Sequence, residues 1–412
     1  MSKQDVLDSS NNGATKDSMN EDINMNDLNN LDITINDWED IPGISDGVLH
    51  GIYAHGFDKP SPIQAKAILP LIQKKDVIAQ AQSGTGKTGC FTVAVLSRIV
   101  LESNTCQAII LAPTRELSRQ ICEVVSSISS YLEGFKYQLL IGGNPTELDA
   151  KALKETTPHL IIGCPGRVHD MLRRKYISSK EIKIIILDEA DEMLSSGFKE
   201  QVYNIFQFLP RDVQVGLFSA TLQHDLMTLT EKFMRDPVKI LVKSEMLTLE
   251  GITQYYIALE DDGQKYSCLK DLFNSLTVSQ CIIYCNSVRR VSDLYEAMKE
   301  DKFPVCCIHS GMEKEERNES YNQFKTGKFR VLISSNVTAR GIDIQQVSVV
   351  VNFDIPRDTS TYLHRIGRSG RWGRKGVGIN FITPRDTKKI REIETFYNTK
   401  ISELPQSFVQ NK

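Results

Sequence analysis

Ala81-Gln82-Ser83-Gly84-Thr85-Gly86-Lys87-Thr88 follows the apolar stretch Asp76–Ala79 and precedes a helical segment, Gly89–Leu101. A strand, a glycine-punctuated turn ending in Lys-Thr and a helix together make a phosphate cradle. The glycines let successive backbone N–H groups curl round the β- and γ-phosphates. The helix N-terminus adds its dipole, Lys87 a point charge and Thr88 a hydroxyl for Mg²⁺. The first Gly of the general pattern is Ala81 here, while Gly84 and Gly86 keep the freedom needed beside the phosphates. Further along, Asp188-Glu189-Ala190-Asp191 comes directly after the apolar run Lys183–Leu187. An acidic residue at the C-terminal end of a parallel strand lies in the crevice where such sheets bind ligands. Asp188 therefore suits the Mg²⁺ shell, and Glu189 is placed to orient an attacking water and accept its proton.

Short β-branched runs surround these two motifs and alternate with helical stretches. Asp76–Ala81, Ala108–Ala112, Leu139–Gly142, Leu160–Gly163, Lys183–Leu187 and Val213–Phe218 read as strands, apolar nearly throughout. Such runs fit a parallel sheet buried on both faces, with helices as crossovers. The pattern restarts with Gln254–Leu259, Gln280–Tyr284, Val305–His309, Phe329–Ser334, Val347–Asn352 and Val377–Ile382. This places an α/β domain at 38–242, a charged linker at 243–251 and a second α/β domain at 252–412. The chain's 412 residues are enough for two such domains.

Net charge is −3, but it is unevenly spread: residues 1–40 carry ten acidic and two basic residues, leaving 47 basic against 42 acidic beyond. The Asn- and Asp-rich opening, 1–37, has too little apolar surface to offset its ordering entropy and is expected to be disordered. Apolar residues make up 41% and charged residues 25%, the balance of a soluble globular protein. No apolar run approaches the ~20 residues of a membrane span. The polar N-terminus does not read as a secretory signal. Nine cysteines, none in a Cys-x-x-Cys pair, suggest reduced structural thiols in an intracellular protein. Secreted, collagenous and membrane classes are set aside.

Asp188-Glu-Ala-Asp191, with the turn ending in Gly-Lys87-Thr88, resembles the DEAD-box ATP-dependent RNA helicases. Residues 38–400 resemble the translation initiation factor 4A group, which includes nuclear paralogues. The resemblance implies two tandem RecA-like domains, each a mostly parallel sheet flanked by helices, joined by a short linker. It implies ATP and Mg²⁺ as cofactors, with the metal at Thr88 and Asp188. Phe57-Asp-Lys-Pro-Ser-Pro-Ile-Gln64 resembles the adenine-recognition element; a Gln amide can pair with adenine N6 and N7 and an aromatic ring can stack on the base. Alone, an aromatic and a Gln seven residues apart would carry no signal.

By the same resemblance, Pro113, Thr114 and Arg115, Gly142 and Gly143, and Pro165, Gly166 and Arg167 are RNA-backbone contacts of the first domain. Cys164 stands where the family usually has Thr. Ser219 and Thr221 couple hydrolysis to strand separation, with Asp191 and His364. In the second domain Asn286, Arg317 and Ser335 match further RNA contacts, and Asp343 matches the contact to the ATP ribose. Asn336 replaces the usual Asp, a change expected to loosen a local carboxylate interaction. Arg368 and Arg371 match arginine fingers that stabilise charge on the transferring phosphoryl group. Trp38 stands where the family often has Phe, and neither it nor the C-terminal ending bears on the chemistry in this reading.

The resulting expectation is an RNA-stimulated ATPase that unwinds short duplexes in mRNA 5′ leaders during translation initiation. It acts as a cytoplasmic monomer on RNA of little sequence preference, with a scaffold protein of initiation-factor type promoting closure. The alternative is a nuclear paralogue acting as an ATP-gated RNA clamp or helicase in splicing, surveillance or rRNA processing. A DNA translocase or GTPase is disfavoured by Phe57 and Gln64.

Overall fold

The short apolar runs become strands of two sheets. In this computed structural model the described residues are 35–81, 84–195, 197–221, 224–241, 252–275, 280–336, 347–369 and 376–405. The first sheet contains β1 (Val77–Gln80), β2 (Ala108–Leu111), β3 (Tyr137–Leu140), β4 (Leu160–Gly163), β5 (Ile184–Asp188), β6 (Gln214–Ser219) and β7 (Val238–Leu241). Its helices are α1 (Asp46–Ala54), α2 (Pro62–Ile72), α3 (Lys87–Leu96), α4 (Arg115–Ile128), α5 (Thr146–Glu155), α6 (Pro165–Arg173), α7 (Ala190–Ser195), α8 (Lys199–Phe208) and α9 (His224–Phe233). The second sheet contains β8 (Ile252–Ala258), β9 (Cys281–Tyr284), β10 (Val305–Ile308), β11 (Val331–Ser334), β12 (Val349–Asn352), β13 (Gly376–Ile382) and β14 (Ser402–Glu403). With it go α10 (Gln264–Ser275), α11 (Val288–Glu300), α12 (Lys314–Lys325), α13 (Thr359–Ile366) and α14 (Thr387–Tyr397).

Strand order is β3-β4-β2-β5-β6-β1-β7 in one sheet and β10-β11-β9-β12-β13-β8-β14 in the other. The paired strands run parallel, as the two-sided apolar runs require. In the second sheet the alternation is explicit: Ile282, Leu332 and Val350 pack into one core, while Ile283, Ile333 and Val351 pack into another across the sheet. Residues 36–412 form one compact unit in which both sheets lie. The expected junction, 243–251, and residues 1–34 of the acidic tail lie outside the described residues.

Each of the twelve expected strands is present; β3 lies two residues earlier, β8 begins two residues earlier, and β11 and β12 begin two later. Two edge strands were not read. β7 is a four-residue strand beside β1, and β14 has only two exposed residues beside β8. Neither offers the long apolar run that marks a strand covered on both faces. All nine cysteines are free thiols, seven of them buried. Among the described residues no helix is long and apolar enough to cross a membrane.

Strand order decides where the chemistry sits. β5, β6 and β1 are neighbours, so Asp188, Ser219 and the turn after Gln80 leave adjacent strand ends. β3, β4 and β2 are neighbours too, and Gly142, Gly166 at the start of α6 and Arg115 at the start of α4 follow them. One edge of the first sheet thus holds two separate functional stretches.

Candidate functional site

After β1, Ala81 donates its N–H to the Ser219 carbonyl at 3.0 Å, continuing the β1–β6 pairing by one residue. Gly84 (φ 84°) and Gly86 (φ 98°) then take left-handed conformations that a side chain would strain, and Gly86 caps α3. Gln82 and Ser83 lie outside the described residues. The Thr85 carbonyl accepts from Ser61 Oγ at 2.8 Å, tying the turn to the start of α2. Lys87 opens α3 and is buried, its Nζ 3.3 Å from Glu189 Oε1. Burial works against its charge, but Glu189, Asp188 and Asp191 outweigh this and hold its pKa above the ordinary value. Thr88 follows it on the first turn of α3.

Asp188 ends β5, fully enclosed, with Oδ1 accepting the Glu189 N–H at 3.0 Å. Burial pushes its carboxyl up to about 7; Lys87 opposes the shift and Glu189 reinforces it. Glu189 has φ +51°, a left-handed backbone rarely adopted by a long side chain, at the step from β5 into α7. Strain of this kind persists only where surrounding contacts impose it.

Asp191, Thr221 and His364 meet at one oxygen. Thr221 Oγ1 donates to Asp191 Oδ2 at 2.7 Å, and His364 Nε2 lies 3.2 Å from the same atom. Ser219 Oγ donates to the Thr221 carbonyl instead of to the acidic cluster. His364 comes from α13 of the second sheet, so this contact joins the two halves of the molecule. Arg368, one turn further, is buried and bonds the His364 carbonyl at 3.2 Å. Its burial lowers its pKa, while Tyr284 and Glu189 act in the opposite direction. Arg371 and Asp343 lie outside the described residues.

A tight set of possible metal ligands among the described residues is Glu189, Asp191 and His364, within 4.8 Å of one another. It differs from the expected Thr88 and Asp188. An imidazole is a poor partner for a hard cation such as Mg²⁺, which prefers oxygen, so this set is better described as a hydrogen-bonded junction.

Phe57 is held from two sides. Trp38, fully buried, donates Nε1–H to the Phe57 carbonyl at 3.0 Å and stacks at 6.3 Å, while His55 meets the ring edge-on at 4.5 Å. Trp38 therefore braces Phe57. Gln64 is buried at the start of α2; its Oε1 accepts the Ser61 N–H at 2.7 Å and its Nε2 donates to the Gly86 carbonyl at 3.1 Å. An amide retains one further N–H and one further lone pair for a base. Gly89 makes this approach possible: a Cβ there would sit 2.7 Å from the Phe57 ring and 2.8 Å from Gln64 Nε2.

A groove of about 820 Å³ runs between the halves, lined by Pro113, Thr114, Arg115, Gly142, Cys164, Gly166 and Arg167 from the first, and by Asn286, Arg317, Ser335 and Asn336 from the second. Gly143, next to Gly142, and Pro165, the first residue of α6, do not line it. Several of these side chains are already engaged. Arg167 pairs with Asp149 and donates to the Asn144 carbonyl, and Arg317 Nη2 bonds Glu116 Oε2 at 2.7 Å in a buried ion pair. Asn286 donates Nδ2–H to the Ile355 carbonyl at 2.7 Å. Thr114 Oγ1 accepts the Leu117 N–H and caps α4. Burial raises the Cys164 thiol to about 11, so it remains neutral beside Ser118. Asn336 Oδ1 accepts two bonds from Arg365, so the position is firmly held without a carboxylate. Glu116, Asp149, Gly89 and Arg365 escaped the sequence reading, since their contacts come from distant segments.

Comparison with known proteins follows the same division. The DEAD/DEAH box helicase family model matches residues 61–229, and the helicase conserved C-terminal domain matches 264–373. An ATP-dependent RNA helicase eIF4A of Chaetomium globosum is 49% identical over 92% of this chain and 94% of its own length. S. cerevisiae Dbp5 bound to RNA and ADP BeF3 is 35% identical, covers 90% of this chain and 95% of its own, and superposes with a TM-score of 0.83. A Dbp5 variant bound to Nup159, Gle1, IP6 and ADP, 34% identical, covers 88% of this chain and 96% of its own at a TM-score of only 0.60. The two halves here are arranged more nearly as in the RNA-bound complex.

Proposed function

The chain belongs to the DEAD/DEAH box helicase family and is an ATP-hydrolysing RNA helicase, and on that premise we propose that its nucleotide site is divided between lobes at 38–242 and 252–412 and becomes competent only when RNA draws them together. The observation that carries this reading is the His364–Asp191 contact across the two sheets. It sets an arginine-bearing helix of one lobe against the acidic strand end of the other.

In this mechanism the phosphates of ATP lie along the turn from Ala81 to Thr88, and Phe57 and Gln64 take the adenine. Lys87 exchanges Glu189 for phosphate oxygens. Glu189, released, orients the attacking water and accepts its proton. Arg368 and Arg371 stabilise charge on the transferring group, and Asp343 holds the ribose. Asp188 is a buried carboxylate crowded by like charges, the kind of oxygen ligand that a divalent cation relieves, so Thr88 and Asp188 fit Mg²⁺. The ion would neutralise phosphate charge there.

Thr114, Arg115, Gly142, Gly143, Pro165, Gly166, Arg167, Asn286, Arg317 and Ser335 form or support the RNA groove, with Pro113. Contacts of this kind read sugar and phosphate more than base, so sequence preference is slight and the 2′-OH marks RNA. Closure would bend the bound strand and expel its partner over a short stretch. We propose that it acts in translation initiation, in the cytoplasm, as a monomer with a scaffold partner; the likeness to the eIF4A helicases supports the initiation role. The nuclear-clamp alternative is not favoured by those relatives. The test is the ATPase rate with no nucleic acid, with single-stranded RNA and with single-stranded DNA. High turnover with RNA alone is expected, and equal rates in all three conditions would refute the closure mechanism.

A further inference from the structure

Arg365 is a fully buried cation in the last turn of α13. All five of its N–H donors are used. Nε and Nη2 donate to Asn336 Oδ1 at 3.0 and 2.7 Å, just beyond β11. Nη2 also donates to Asn286 Oδ1 at 2.7 Å, just beyond β9. Nη1 donates to Asn352 Oδ1 at 3.2 Å and to the Asp354 carbonyl at 2.7 Å, at the end of β12. The Tyr284 ring faces the guanidinium at 5.2 Å. Since β11, β9 and β12 are adjacent in the sheet, one side chain ties together three neighbouring strand ends.

The oxygens that receive this cation are all neutral. The carboxylate of Asp354 is instead engaged by Lys265 at 3.2 Å, Arg290 at 2.8 Å and the Asn286 N–H at 2.9 Å. A buried charge without a paired carboxylate is tolerated only when its hydrogen-bonding geometry is complete. A planar fork meets that condition in few positions, so the guanidinium and the loops it holds should move as one body.

Two of those loops line the groove, at Asn286 and at Ser335–Asn336. The helix bearing Arg365 also carries His364, 3.2 Å from Asp191, and is followed one turn later by Arg368. We propose that Arg365 is a positioning residue that transmits occupancy of the RNA groove to the ATP site, with Asn336 and Asn286 as its groove-side contacts. The inference rests on the assignment of groove and ATP site above and names the side chain that joins them.

The experiment measures the Kd of a non-hydrolysable ATP analogue with and without saturating oligouridylate, for the full chain and for Asn336→Ala, Asn336→Asp and Arg365→Lys. The readout is the ratio of the two Kd values, alongside thermal unfolding. Asn336 is exposed, so its replacement should leave the fold standing. Loss of two bonds to a charged donor should cut the ratio roughly tenfold in Asn336→Ala. Asn336→Asp, which supplies a paired carboxylate, should retain at least the wild-type ratio even if RNA itself binds less tightly. Arg365→Lys, lacking the fork, should bring the ratio towards one; if it fails to fold, Asn336→Ala decides. A purely structural role would lower both affinities and leave the ratio unchanged, and that result in Asn336→Ala overturns the proposal. A wild-type ratio of one would instead defeat the closure mechanism itself, and this inference with it.

Discussion

Replacing Glu189 by Gln separates two effects that the carboxylate combines. Without nucleotide it holds Lys87 Nζ at 3.3 Å, both groups buried. At that distance, and an effective dielectric constant near 20, the gross attraction is about 5 kcal/mol. ATP must displace this interaction before Lys87 can reach a phosphate. The Gln amide oxygen still accepts a bond from the ammonium, and Asp188 still faces it, so only part of that attraction disappears. Nucleotide affinity should therefore rise, by roughly 3- to 30-fold, which is of the order of one or two hydrogen bonds to a charged group. Turnover should fall by about 10²- to 10⁴-fold, because the amide cannot take the water's proton. Phosphate release at saturating RNA measures the second effect and an equilibrium nucleotide titration the first. Turnover within threefold of wild type would refute the role of Glu189 as base. Tenfold weaker nucleotide binding would refute the competition for Lys87.

Gly89→Ala places a Cβ 2.7 Å from Phe57 and 2.8 Å from Gln64 Nε2. KM for ATP should rise at least tenfold with little change in kcat, while stability holds because Ala favours a helix over Gly by about 1 kcal/mol; an unchanged KM would show that adenine is not read here. Arg317→Ala leaves Glu116 buried without its cation, a loss of about 3–5 kcal/mol that falls on the arrangement joining the lobes. The RNA concentration for half-maximal ATPase should increase more than tenfold, and a Glu116→Gln, Arg317→Gln double variant should be milder than Arg317→Ala. Equal RNA dependence in all three would remove this pair from the closure mechanism.

The inner strands were legible because burial on both faces demands apolar residues at every position, a condition visible in six residues. The phosphate turn and the acidic strand end were legible for a related reason: their chemistry lies within eight and four consecutive residues. What joins them was not legible in the residues themselves, and only the family resemblance grouped His364 with Asp191. His364 reaches Asp191 across 173 residues and Arg317 reaches Glu116 across 201, and neither partner carries a local mark of the other. Glu189's positive φ is likewise imposed from outside, by the turn out of β5 and the groups around it.

The segment His364-Arg365-Ile366-Gly367-Arg368 shows how close the sequence came. Read as a run of charge, Arg365 and Arg368 look interchangeable, and all such residues seem bound for phosphate. Read as a helix, they are not. His364, on α13, faces the acidic cluster, and Arg368, two residues past the helix end, bonds the His364 carbonyl. Arg365 is about 100° round from His364, which directs it to the strand ends beneath α13. A cation on that side must either find a carboxylate or be wrapped completely by neutral oxygens. Asn286, Asn336 and Asn352, each at a strand end, supply the second solution. The periodicity separates Arg365 from His364; the place of Arg368 past the helix end and the identity of the oxygens required the fold.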